Sequence, residues 1–421
     1  MWRVDIFGRW LKQLGRSGPG LVLFGLLLVQ VLIPLIAEQP SVGYDGEQYL
    51  VYAKNILDLH RFTFDGATPS SGRPPGYPVF LMAFLFLFGG VSLVYPFQLV
   101  LLFVSYLAVA WTLREALPLW WRIALVALLV GCQPINKLGM TIQTEALFIF
   151  LAASGLLFLC RFLRRSSLLD LIVFSILATL SAYVRPVTML FAFFATAALL
   201  FARRIRLGNA LIIILISAGL IAPWTYRNWR TFGKSIPLAS NYGSIYYMTD
   251  QQAFTAIMFR GASASHALVD YDEIVGQDFE LDLPANDRYL TRAKENIAKD
   301  PLGFIKRCSL KTLFVWSYLP LTRTWLEEHR ALFFLGVAVQ WSFLSSAVWG
   351  AFLLRRKFPW LVWPGALFAV YHVFALFPFY AESRFLVPVY IVLTGFSAYA
   401  VYTLVQSIER RFFSAQRATN S

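Results

Sequence analysis

A few charged residues sit where helices begin and end, in types and spacings that could do chemistry. Asp45 and Glu47 stand two apart in Tyr44-Asp45-Gly46-Glu47, and Asp65 precedes a turn at Arg73-Pro74-Pro75. Glu145 opens an apolar run, Arg185 precedes Pro186, Arg227 follows Pro223-Trp224-Thr225-Tyr226, and Arg384 opens the last apolar run. A carboxylate beside a desolvated pocket can take a proton from an alcohol or hold a divalent cation. A guanidinium offers a fork of N–H donors suited to phosphate oxygens. Bland readings stand beside these. Acids suit the start of any helix, and single arginines bind lipid headgroups or form ion pairs, with Glu382 beside Arg384 an obvious partner. The set of arginines near the carboxylates favours an anion site. Asp270, Asp272 and Glu273 read as a solvated loop.

Other chemistries lack support. His60, His266, His329 and His372 are scattered without metal-ligand spacing, and Cys132, Cys160 and Cys308 form neither a CxxC site nor a disulfide framework. No Gly-rich phosphate loop, HExxH or GxSxG occurs, which leaves nucleotide hydrolysis, zinc proteolysis and nucleophile-elbow hydrolysis unsupported.

The elements that must position these residues lie in a bilayer. The 421 residues are 58% hydrophobic and 14% charged, against roughly 45–50% and about 25% in soluble domains. With a mean hydropathy of +0.60, the apolar runs make up most of the chain. The fold class is all-α and polytopic, because strand segments of alternating polarity are missing and helices satisfy their own backbone in lipid. The formal charge of +14 lies in compact clusters between apolar runs. Topology accounts for them, and nucleic acid is not an expected partner.

Positive-inside counting predicts about ten crossings: 21–36, 94–113, 123–138, 146–160, 168–184, 187–201, 207–224, 331–354, 360–377 and 385–405. The basic start, with Arg3, Arg9, Lys12 and Arg16, reads as the cytoplasmic flank of a retained signal-anchor helix. Residues 77–88 are too few to cross and read as a re-entrant or interfacial segment. The expected protein is multi-pass in the plasma (bacterial inner) membrane, with both termini cytoplasmic.

Two outside regions are long enough to hold the chemistry. In residues 38–75, Tyr49, Tyr52, Ile56 and Leu59 recur at helical spacing and predict an amphipathic helix over 44–59. In 227–330, a polar helix from Asn286 to Lys299 is stopped by Pro301, and 304–319, interrupted by Lys306, Arg307 and Lys311, packs along the outer surface. The chain therefore divides into a transmembrane module over 1–226, an outer region over 227–330 and C-terminal helices over 331–421.

The first loop resembles a known pattern: Tyr44-Asp45-Gly46-Glu47-Gln48-Tyr49, Ala53-Lys54-Asn55, Phe62-Thr63-Phe64-Asp65-Gly66, then Arg73-Pro74-Pro75-Gly76-Tyr77-Pro78. Thr144-Glu145-Ala146-Leu147, Arg185-Pro186, Pro223-Trp224 with Arg227-Asn228, Phe232-Gly233 and Glu382-Ser383-Arg384-Phe385 continue it in order. Together these resemble the GT-C superfamily of membrane glycosyltransferases, in the family 39-like branch of protein O-mannosyltransferases and lipid A aminoarabinose transferases.

The resemblance implies a GT-C-like fold and a polyprenyl-phosphate sugar as donor, used on the extracytoplasmic side. It implies an acidic catalytic base at Asp45, donor phosphate at Arg73 and an acid near the site at Glu145. Glu47 or Glu145 would orient the acceptor or share a divalent ion with Asp45; no ligand set is assigned. Arg185, Arg227, Arg384 and Tyr49 join Arg73 as candidate substrate-binding residues. The chain is shorter than the best-known members and lacks their large C-terminal domain, so the acceptor, whether lipid, glycan or protein, stays open. The alternative class is a flippase or transporter of a polyprenyl-linked lipid or glycan. It is disfavoured because the charges gather at helix ends and no inverted repeat is evident.

Overall fold

A computed structural model describes residues 18–240, 242–250, 283–317, 330–381 and 383–419. The N-terminal basic residues, the acidic group at 270–273, His266, His329 and Glu382 lie outside the described residues. The protein is an all-α polytopic membrane protein.

The described residues open on α1 (Gly18–Ala37), then α2 (Tyr44–Leu59), α3 (Gly76–Phe88), α4 (Val94–Thr112), α5 (Leu119–Val130) and α6 (Gln133–Lys137). Next come α7 (Glu145–Arg165), α8 (Leu168–Val184), α9 (Phe191–Phe201) and α10 (Leu207–Phe232). Then follow α11 (Gly243–Thr249), α12 (Leu283–Lys299), α13 (Pro301–Ser317), α14 (Arg330–Lys357), α15 (Pro359–Leu376) and α16 (Val387–Thr419).

Among the described residues, seven helices are long and apolar enough to cross a membrane: α1, α4, α7, α10, the 334–357 part of α14, α15 and the 384–411 segment. The other three expected crossings are also helical but differ in form. Residues 168–184 and 187–201 fall on α8 and α9, which are short and apolar. The crossing expected over 123–138 falls on two helical pieces, α5 and the 133–140 segment, which together are long and apolar enough to span and are bent by 59° at the break.

The bend has a local cause. Gly131, Cys132 and Pro134 interrupt the helix, and a break inside a membrane frees carbonyls that need donors. Asn136 answers one of them, its Nδ2 donating to the Val130 carbonyl at 2.6 Å, while its Oδ1 accepts from Gln30 at 2.9 Å and from Tyr106 at 3.1 Å. A small polar knot thus ties the otherwise outward-facing α1 to α4 and the break.

The core runs between α4, α7, α8, α15 and α16, with Phe148, Ile149, Leu159, Phe174, Phe368 and Val389 almost fully buried. At one end of the bundle the basic turns meet: Arg164 pairs with Glu115 and lies over Trp360, Arg161 pairs with Asp170 at 3.0 Å, and Arg204 lies over Trp363. The opposite end carries α2 and α3. At 13 residues, about 20 Å long, α3 is shorter than the roughly 30 Å hydrocarbon layer. It has Tyr77 and Leu81 buried and Phe86, Leu87 and Phe88 exposed.

The first loop is a built structure. Tyr52 stacks on Phe62 and hydrogen-bonds Ser70 at 2.6 Å, and Asn55 donates to the Thr63 carbonyl at 2.9 Å. His60 ends α2 in a left-handed conformation, φ 55°, which is a capping role. Asp65 gathers Thr63, Ala67 and Thr68 into a turn. Those hydrogen bonds hold its carboxyl well below the usual carboxylate range.

Candidate active site at the helix mouths

Five of the expected residues converge at the end of the bundle away from the basic turns. Asp45 sits in the first turn of α2, and Glu145 opens α7, at N-terminal positions where the helix dipole favours a carboxylate. Arg73 comes from the loop before α3, Arg185 caps α8, and Arg384 lies on a single 3₁₀ turn, Ser383–Leu386, ahead of α16.

Their contacts form one chain. Arg73 donates from Nη2 to Asp45 Oδ1 at 2.6 Å, and Arg185 donates from Nη1 to Glu145 Oε1 at 3.2 Å. Arg384 bridges the two pairs, with nitrogens 3.7 Å from Asp45 and 3.8 Å from Glu145. Among the described residues of the cluster, three guanidiniums stand against two carboxylates. The residues present therefore fit an anion. They do not fit a divalent cation held by the protein alone, which would sit among three positive charges; among the described residues, no three His, Cys, Asp or Glu side chains converge on a metal-sized site.

The two carboxylates differ. The Glu145 side chain is 3% exposed and that of Asp45 is 32% exposed, so Asp45 is the one an incoming molecule can reach. Burial works to raise the pKa of Asp45, but Arg73 above all, then Arg384 and Arg185, outweigh it and hold the carboxyl below its ordinary value. Burial of Arg73 opposes its charge, yet Tyr49 and Asp45 keep the guanidinium firmly protonated.

The backbone is close-packed around these groups. A Cβ on Gly46 would lie 2.3 Å from the Ile142 carbonyl oxygen, so the turn carrying Asp45 is pressed against the strand-like segment leading to Glu145. That segment is itself bonded to the first loop through Ser41 N–H to Met140 and Ile142 N–H to Ser41. On the other side, a Cβ on Gly76 would lie 2.6 Å from the Tyr183 carbonyl, beside Arg185.

The remaining candidates fall elsewhere or serve differently. Tyr49 is buried beneath Arg73, 5.2 Å from ring centre to guanidinium, and edge-on to Tyr77. Glu47 is exposed and makes no ion pair with the cluster arginines among the described residues. Arg227 does not join the other three. Its Nη1 donates to the Ser70 carbonyl at 2.8 Å and its Nη2 to the Phe62 carbonyl at 3.3 Å, between the rings of Phe62, Trp224 and Phe232. Two neighbours were missed from sequence. Gln48 accepts from Arg73 Nε at 2.9 Å, and its spacing of three from Asp45, one helical turn, was the available signal. Phe385 lies against Arg185 at 4.2 Å and Arg384 at 5.4 Å.

No family model matches the chain, and no curated protein matches it. Among solved structures, the chain is similar to "Crystal Structure of ArnT from Cupriavidus metallidurans bound to Undecaprenyl phosphate", at 12% identity and a TM-score of 0.40, over 91% of this chain and 78% of that one.

Proposed function

We propose that the protein is an integral membrane glycosyltransferase that moves a sugar from a polyprenyl-phosphate donor to an acceptor hydroxyl on the extracytoplasmic face. The observation that carries this reading is the shared cluster: an accessible carboxylate, Asp45, beside three arginines, at the mouths of apolar helices. A lipid-phosphate sugar needs those features at successive depths, with apolar surface for the tail, guanidiniums for the phosphate and a carboxylate at the sugar.

The reaction is a single displacement. Asp45 takes the proton of the acceptor hydroxyl, whose oxygen attacks the anomeric carbon. The bond from that carbon to the phosphate oxygen breaks, and its electron pair leaves with the phosphate, stabilised by Arg73, Arg185 and Arg384. Attack from the face opposite the leaving group inverts the anomeric centre. Glu145, too buried to meet the acceptor, aligns Arg185 and Arg384. Arg227 supports the loop that presents Arg73.

The test is purified protein in vesicles with a radiolabelled polyprenyl-phosphate sugar and a panel of hydroxyl acceptors. Label appearing on an acceptor, with polyprenyl phosphate released, supports the transferase. Movement of intact donor between leaflets without bond cleavage would make the protein a flippase.

A further inference from the structure

One buried charge plays no part in the cluster itself. Lys311 lies on α13 and is 1% exposed. Its helix-mate Arg307 pairs with Asp300 at 3.2 Å, whereas Lys311 has no carboxylate in its hydrogen-bond set. Its ammonium donates to three main-chain carbonyls, those of Leu376, Phe377 at 3.0 Å and Phe379 at 2.6 Å. Three N–H donors meet three acceptors, the full capacity of the group. Burying an ammonium is unfavourable, and an unbranched apolar side chain would fill the same space without that penalty. The carbonyls are what the charge is for.

These carbonyls belong to the last residue of α15 and the turn behind it. The C-terminal carbonyls of a helix lack intrahelical partners and carry the negative end of its dipole, so a cation there is favoured twice. Five residues beyond Phe379 the same segment reaches Arg384. The end of α15 is tied on its other side as well, by Tyr371, whose hydroxyl donates to the Val187 carbonyl at 2.6 Å, two residues past Arg185.

We infer that Lys311 is a positioning residue: it reaches from the outer helical layer to clamp the end of α15, and so holds the turn that delivers Arg384 to Asp45 and Glu145. The inference rests on the reading of the cluster as a phosphate site. Burial pushes the pKa of Lys311 down to about 8, which leaves it protonated, with all three donors, at neutral pH.

The experiment separates position from catalysis. In a background with Cys132, Cys160 and Cys308 replaced, Ser383→Cys carries a nitroxide, and its mobility is read by electron paramagnetic resonance in wild type, Lys311→Met and Lys311→Arg. Lys311→Met should raise the mobility of the label and Lys311→Arg should restore order. In unlabelled protein, Lys311→Met should raise the KM for a polyprenyl-phosphate sugar about tenfold, the scale of one charge-assisted contact, and leave the acceptor KM within twofold. It should add no further loss in an Arg384→Ala background. If Lys311→Met is poorly inserted, Lys311→Gln, with two donors and no charge, makes the same comparison. An unchanged label spectrum, or a donor-KM effect that persists in full without Arg384, overturns the inference. A loosened label in a protein with no transfer activity would leave the clamp standing and remove the proposed reaction.

Discussion

Arg73 and Arg227 look alike in sequence, each beside prolines and aromatic residues at the mouth of an apolar helix, yet the structure gives them opposite surroundings. Arg73, with Arg185 and Arg384, faces carboxylates that an anion can displace. Arg227 faces two main-chain carbonyls that nothing can displace without unfolding the first loop. A guanidinium on a carboxylate is a binding site in waiting, whereas one on a carbonyl is part of the scaffold. Which of the two an arginine becomes depends on what stands opposite, and that is a tertiary fact.

The sharpest break in the comparison comes from the carboxylate. Asp45→Asn keeps the shape but not the proton-accepting ability, so transfer should fall by about 10²- to 10⁴-fold while donor binding, read by equilibrium dialysis, persists. Near-normal transfer would move the base elsewhere.

Arg73→Ala should weaken donor use by roughly 10- to 100-fold, the value of one or two charge-assisted hydrogen bonds, and Arg73→Lys should retain part of it. Arg227→Ala should do the reverse. Leaving the Ser70 carbonyl without its donor, while the Phe62 carbonyl keeps the Ser70 N–H, costs on the order of 1–3 kcal/mol, read as a lower melting temperature in detergent, with donor KM nearly unchanged. A donor defect in Arg227→Ala equal to that of Arg73→Ala would erase the distinction.

The pH dependence sharpens it further. In the free protein the arginines hold the Asp45 pKa below its ordinary value, so the acid limb of kcat/KM should lie below the usual carboxylate range. Donor phosphate engaging Arg73 and Arg384 relieves Asp45 of those contacts, and the limb in kcat should move upward. The ion pair's contribution to stability has the matching sign: present above the unfolded pKa, and lost as pH falls through the lower folded value. Coincident limbs would mean that phosphate does not compete with Asp45. The smallest effect is expected at exposed Glu47, where Glu47→Gln should change transfer by no more than about twofold.

Much of this was legible in the sequence for a physical reason. Basic residues at helix ends on the side that positive-inside counting expects to be poor in them call for a use, and Arg73, Arg185 and Arg384 did converge, with Asp45 and Glu145 between them. The amphipathic period of 44–59 placed α2 to the residue. The bend at 131–132 was spelled by Gly131 and Pro134 but is masked by uninterrupted hydropathy across 123–138. Lys311 is less legible still, since its partners are main-chain carbonyls more than sixty residues away, and any residue type supplies a carbonyl.

The way the cluster is shared out along the chain gives it a schedule. Asp45 finds Arg73 after 28 residues and Glu145 finds Arg185 after 40, so each carboxylate meets its first cation while the chain is still being made. Arg384, which joins the two pairs, is synthesised more than three hundred residues after Asp45, a delay on the order of 20 to 70 s at typical ribosome speeds. Until that last turn arrives, the nascent protein holds two separate, locally neutral pairs. On the proposed reading, the three-arginine site comes into being only with the turn ahead of the final helix, and a chain cut short before that turn would lack the link that Arg384 makes between the two pairs.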